Sequence, residues 1–256
     1  MSYELIQQII RETLLQEGVY DPGIFKAVFM AGGPGSGKSY TAKKIFGASP
    51  ENATETSTAA GLKLVNSDPA FEYFLKQIGI SPSSLASMSA EEFKKVTVGP
   101  ESPRMKAKNI RDKQQAMWMG GKLGVIIDGT GDNYEKISHK KLAMQEAGYD
   151  TYMIFVNTTL GVAQERNANR DRKLPASLVE QIWEDVQKNL GKFQALFGAE
   201  NIVIIDNTEY GPVPGAIEKA VRRFLNQPIR NPVGKEWIEA ELEMKGPKAK
   251  RPKAKS

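Results

Sequence analysis

An α/β fold, with a parallel sheet covered by helices on both faces, is predicted by three observations. Apolar, β-branched runs recur at 25–31, 62–66, 125–128, 151–156 and 202–206. The segments between them carry helical period, an alternation typical of crossover-connected parallel strands. The first run leads into Gly32-Gly33-Pro34-Gly35-Ser36-Gly37-Lys38-Ser39, a glycine-rich turn followed directly by a helix-competent stretch to Phe46.

In chain order, Leu5, Ile6, Ile9, Ile10 and Leu14 fall on one helical face, so residues 3–17 are expected to form a helix that Gly18 stops. The strand over 62–66 ends at Asp68-Pro69, a pair that opens a helix. Ser89 and Glu92 have the spacing of a capping box. Asn133 precedes a helix over 134–147 with Gly148 beyond it, and a long helix over 176–196 ends near Gly198. From Pro228 onward Pro, Gly and Lys accumulate, and order is expected to fade after a short helix over 235–244. The predicted organisation is one domain over 1–227, an insertion over 81–121 on its substrate side, and a C-terminal extension with a disordered basic tail over 228–256.

Composition narrows the chemistry. The 256 residues include no cysteine and one histidine, which excludes disulfides, thiolate catalysis and multi-histidine metal centres. His139 sits beside Lys140 and Lys141 and reads as a solvated residue. No apolar run is long enough to span a bilayer, and the N-terminus lacks a secretory pattern, so a soluble, cytoplasmic protein without a membrane partner is expected. The formal charge is +5, yet six basic residues and no acid lie between 245 and 256, so the body is close to neutral. That tail reads either as a solubilising terminus or as a nonspecific contact for nucleic acid.

Gly32, Gly37, Lys38 and Ser39 fill the fixed positions of a phosphate-binding loop. Its glycines turn backbone N–H groups toward phosphate oxygens, Lys38 brings a cation to the β- and γ-phosphates, and the Ser39 hydroxyl is a ligand for Mg²⁺. The candidate nucleotide-binding residues are therefore Gly32, Gly33, Pro34, Gly35, Ser36, Gly37, Lys38, Ser39 and Tyr40. Asp68 ends the second strand, where a parallel sheet builds its site; it reads as a base acting on a substrate hydroxyl or as a helix cap. Asp128 ends the third strand and reads as a second acid for the metal shell or as a cap of the next helix. Thr130, in the turn Gly129-Thr130-Gly131, has phosphate, substrate or its own turn as partners. Arg166 and Arg170 are spaced i, i+4 after the fourth strand. They read as a lid over transferring phosphate, continued by Arg172, Lys173 and Pro175, or as partners of Glu165 and Asp171 on a surface helix. The 81–121 segment supplies Lys94, Lys95, Arg104, Lys106, Lys108, Arg111 and Lys113, a solvated basic face or a surface for an anionic substrate.

Through these motifs, from about Phe25 to Asn207, the chain resembles the zeta-toxin and polynucleotide-kinase-like branch of P-loop kinases. The resemblance implies a three-layer sandwich around a five-stranded parallel sheet, with ATP or GTP and Mg²⁺ as cofactors and transfer of the γ-phosphate to a hydroxyl. It also implies that Asp68 is the base, that Asp128 takes the place of the acid in the family's Glu-Gly-Thr-Gly turn, and that Thr130 is its threonine. The family's turn continues with an arginine that helps hold UDP-N-acetylglucosamine, whereas this chain has Asp132, so that ligand is not carried over.

The sequence thus predicts a phosphotransferase whose catalytic set is Lys38, Asp68, Arg166 and Arg170, with Ser39 and Asp128 at the metal and Asp68 and Thr130 toward an unidentified hydroxyl acceptor. Its rivals are a polynucleotide or modified-base DNA kinase, an NTPase that uses water, and a nonenzymatic nucleotide-binding protein that makes contacts through its tail.

Overall fold

A computed structural model describes residues 18–21, 23–47, 58, 61–170, 173–209 and 211–245. The expected helix over 3–17, the tail over 246–256, Asp171 and Arg172 lie outside the described residues.

Five parallel strands form one sheet: β1 (Lys26–Ala31), β2 (Lys63–Val65), β3 (Val125–Asp128), β4 (Asp150–Asn157) and β5 (Ile202–Asp206), in the order β2-β3-β1-β4-β5. All six residues of β1 are buried, because the central strand is covered on both faces; this is why its sequence runs apolar instead of alternating. Its side chains still alternate between two cores. Ala27, Phe29 and Ala31 face Trp118, Ile137, Met144, Val186, Phe193 and Phe197, whereas Val28 and Met30 face Ala42, Phe46, Val221 and Phe224.

The helices that bring those residues are α1 (Lys38–Phe46), α2 (Asp68–Gln77), α3 (Ala90–Thr97), α4 (Pro103–Gly120), α5 (Tyr134–Glu146), α6 (Leu160–Ala168), α7 (Ala176–Phe197), α8 (Gly215–Asn226) and α9 (Pro232–Lys245). The face with Phe29 is covered by α4, α5 and α7, and the opposite face by α1 and α8. Over 81–121, a 3₁₀ turn (Pro82–Ser87), α3 and α4 share a small core with α2, formed by Phe71, Leu75, Leu85, Val96 and Ala107. Ser89 and Glu92 make the capping box at α3, and Asn133 caps α5 by accepting from Lys136 N at 2.8 Å. The last helix begins at Pro232, three residues earlier than the sequence suggests, and its Trp237 ring meets Phe25 edge-on at 5.5 Å.

From β1 the chain first moves to β2 on one side and later reaches β4 on the other. The carboxyl end of β1 is therefore the topological switch point, where open α/β sheets place their ligands. Register sets Met30 beside Asp128 and Ile154, so the loop after β1 and the acid ending β3 emerge side by side. Among the described residues no helix is long and apolar enough to cross a membrane.

Candidate functional site

The glycine-rich loop joins β1 to α1 and sits close against its neighbours. Gly35 has φ +76°, and a Cβ there would collide with the Ala163 backbone, its Cα only 2.9 Å away. Gly32 has φ +149°, and a Cβ would meet the Val156 carbonyl. Only glycine accepts both constraints, so these two residues are fixed by backbone geometry. Ser36 O accepts from Asn207 Nδ2 at 2.7 Å, tying the loop to the end of β5. Gly33, Pro34 and Ser36 are buried, whereas Ser39 and Tyr40 are exposed; the Tyr40 hydroxyl reaches Gly211 O at 3.4 Å.

Lys38 Nζ donates to Gly32 O and lies 3.5 Å from Gly33 O. Burial holds its pKa below the ordinary lysine value, against the pull of Asp128; Arg170 lowers it further, while Asp68 and Asp132 raise it. One ammonium group thus has three carboxylates and a guanidinium within electrostatic range, drawn from three separate stretches of chain: Asp68, the turn holding Asp128 and Asp132, and Arg170.

Asp128 does not cap the helix after β3, since Asn133 does. The turn it begins is hydrogen-bonded to the phosphate loop: Gly32 N donates to Thr130 O at 2.9 Å, and Gly129 N to Met30 O at 3.1 Å. Of the three partners open to Thr130, its hydroxyl has its own turn, donating to the Asp132 carboxylate. The buried Asn189 of α7 supports this turn, donating to Gly131 O at 3.1 Å and Asp132 O at 2.7 Å. Asn189 is a residue that sequence reasoning missed. A polar side chain in the stripe Val179, Val186, Phe193, Phe197 was the available signal.

Asp68 is likewise not a cap. Ser67 takes the N-cap position of α2, Asp68 N donates to Asn66 Oδ1 at 2.8 Å, and the Asp68 carboxylate accepts from Arg104 Nη1 at 2.8 Å. Arg104 comes from the first turn of α4 and lies over the Phe71 ring at 5.1 Å. The pairing spans 36 residues, and only the small core joining α2 to α4 brings it about.

The i, i+4 face expected for Arg166 and Arg170 is not formed, because α6 ends at Ala168 and Arg170 lies in the segment beyond. Buried Asn167 closes that segment, donating to Leu174 O at 2.8 Å and accepting from Leu174 N at 3.0 Å. Arg166 donates to Asn207 O at 2.7 Å and Thr208 O at 3.3 Å, while Arg170 comes within electrostatic range of Lys38. Asn207, in contact with both Arg166 and Ser36, is a second residue the sequence did not single out.

Among the described residues no group of three or more His, Asp or Glu could hold a metal by itself. Asp128 and the Ser39 hydroxyl are hard oxygen donors at the mouth of the loop, a set suited to Mg²⁺, which takes its other ligands from water and substrate phosphates.

No family model and no curated protein matches the sequence. Among solved structures, the chain is similar to a chain of the Pnkp1/Rnl/Hen1 RNA repair complex at 18% identity, covering 66% of this chain and 46% of that one, with TM-score 0.45. It therefore spans less than half the length of that relative. It is also similar to a putative kinase from Chloroflexus aurantiacus at 13% identity, with 78% and 98% covered and TM-score 0.47. A third is the PezAT chromosomal toxin-antitoxin system of Streptococcus pneumoniae, at 11% identity, with 95% and 97% covered and TM-score 0.46.

Proposed function

We propose that the protein is a Mg²⁺- and nucleoside-triphosphate-dependent phosphotransferase that moves the γ-phosphate of ATP or GTP to a hydroxyl acceptor. The observation that carries this reading is the gathering of Asp128, Arg170, Asp68 and Asp132 around Lys38, above one glycine-rich loop. Phosphoryl transfer is catalysed by positioning and charge rather than by covalent chemistry, and these side chains are of the types it uses.

In this reading the loop N–H groups and Lys38 hold the triphosphate. Ser39 and Asp128 would hold Mg²⁺, which neutralises charge on the β- and γ-oxygens when bound. Asp68 takes the proton of the acceptor hydroxyl as its oxygen bonds to the γ-phosphorus, and the bond to the bridging oxygen breaks to release a nucleoside diphosphate. Arg104 is a positioning residue that orients the Asp68 carboxylate. Arg170 faces the equatorial oxygens, while Arg166 braces the Asn207 contact that shapes the loop. Thr130 holds the turn through Asp132 and adjoins the acceptor. The catalytic unit spans 1–227, with 81–121 on the acceptor side, and works in the cytoplasm.

The test is transfer from γ-labelled ATP or GTP to panels of nucleic-acid ends, modified bases, nucleosides and nucleotide sugars. Lys38→Ala is expected to lower transfer by about 10²-fold or more, as loss of a transition-state charge contact does. No transfer above the Lys38→Ala and Asp68→Asn controls would overturn the reading. Rapid hydrolysis without acceptor, unchanged by Asp68→Asn, would replace it with an NTPase.

A further inference from the structure

Of the seven basic residues over 94–113, the structure separates two groups. Lys95 is exposed and pairs with Glu91 at 3.3 Å, Lys106 is partly exposed and pairs with Glu101 at 3.1 Å, and Lys94 and Lys113 are exposed. Arg104, Lys108 and Arg111, spaced i, i+4, i+7 along α4, are partly buried. Lys136 and Lys140 of α5 come within electrostatic range of this row: Lys108 feels Arg104, Lys136 and Arg111, and Lys140 feels Arg111 and Lys136. Asp112, bound to Arg111 at 2.6 Å, is the acid that both lysines feel. The row begins at Asp68 through the Arg104 pair and extends along α4 for about 10 Å at 1.5 Å per residue.

Stacking like charges at i, i+4 in a half-desolvated seam opposes folding. Burial is the main cause that pushes Lys140 down to about 8, with Arg111 and Lys136 adding to it and Asp112 opposing. Asp112 offsets part of this cost, and an anion entering among these cations offsets more.

Resting on the phosphotransfer reading for its placement beside Asp68, we propose that the seam between α4 and α5 is a second anion site. Lys108, Arg111, Lys136 and Lys140 bind phosphate groups carried by the acceptor, behind the hydroxyl presented to Asp68. Its length accommodates two or more phosphates at the roughly 3.4 Å axial spacing of a nucleic-acid strand.

The probe is a fluorescent single-stranded hexanucleotide with a 5′-hydroxyl, titrated by anisotropy against the full chain over a salt series. Lys108→Glu with Lys140→Glu is expected to weaken binding about tenfold or more and to flatten the log–log salt slope by about 1.4, or 0.7 for each lost phosphate contact. Lys38→Ala is expected to bind the probe as the unmodified chain does, which separates this site from the donor loop. Affinity falls as pH rises above about 8, where Lys140 loses its proton, and Lys140→Arg keeps the affinity and removes that fall. Competition by a nucleoside diphosphate would show that a short phosphate chain suffices, and its failure would point to a strand; both outcomes support the site. The proposal is overturned if the double reversal leaves affinity and slope unchanged, if binding is lost only on deleting 246–256, or if neither probe binds at low salt. Seam binding without any γ-phosphate transfer would sink the phosphotransfer reading and leave the anion site standing.

Discussion

Gly35 shows how little freedom the phosphate loop has at single residues. Gly35→Ala places a Cβ at φ +76° against the Ala163 backbone, so it combines left-handed strain with overpacking. A loss of about 2–4 kcal/mol is expected from the two effects, read in urea melts and accompanied by loss of nucleotide binding. Lys140 carries a pH signature of a different kind. Its folded pKa of about 8 lies below the ordinary lysine value of 10.5, so the unfolded chain binds more protons between those values. Stability should therefore rise with pH from about 8 to 10.5, and Lys140→Met should make that rise shallower in melts taken across the window.

At the scale of elements, α3 depends on its first turn. Ser89 N donates to the Glu92 carboxylate at 2.8 Å, and Glu92 N donates back to Ser89 Oγ at 3.3 Å. Ser89→Ala should cost about 1 kcal/mol by leaving first-turn N–H groups without their cap. Faster amide exchange confined to α3 and its partners Phe71 and Ala107 is the local readout. The Ser89 backbone and hydroxyl hold the Glu92 carboxyl below its usual value, so the bonds to that carboxylate weaken as pH falls through its folded pKa, while the bond from Glu92 N to Ser89 Oγ does not titrate. Beyond α6, Asn167 bridges to Leu174 through two hydrogen bonds, and Arg170 lies between them in the chain.

The whole molecule is closed by a pair at the end of the sheet opposite the site. Lys26, only 2% exposed, meets Asp150 at 3.1 Å, and Asp150 also accepts from Arg230 N at 2.9 Å and Asn231 N at 2.9 Å. One carboxylate thus joins β1, β4 and the connection between α8 and α9. Asp150→Ala should cost about 3–5 kcal/mol, because it removes the carboxylate that pairs with the buried Lys26 ammonium and accepts from Arg230 N and Asn231 N. Combining it with Lys26→Met should recover part of that loss, a nonadditivity that a double-mutant cycle in denaturant would measure.

The strands were legible because each is short, apolar and bounded by turn residues, and because a sheet covered on both faces leaves no polar alternation to confuse the pattern. The loop was legible because its function is carried by contiguous backbone, and Ser89 and Asn133 because capping acts within three residues. Arg170 was placed wrongly on a helix, since spacing alone does not reveal that Asn167 turns inward to hold Leu174 and ends the regular structure. The Arg104 partner of Asp68, the Asn189 support of the turn and the union of Lys136 and Lys140 with α4 depend on packing between elements far apart in the chain. Local spacing, caps and hydrophobic period determined the elements and the phosphate loop. Which charges meet was decided only in the tertiary structure, because electrostatic partners are chosen by distance in space and desolvation, neither of which a linear sequence contains.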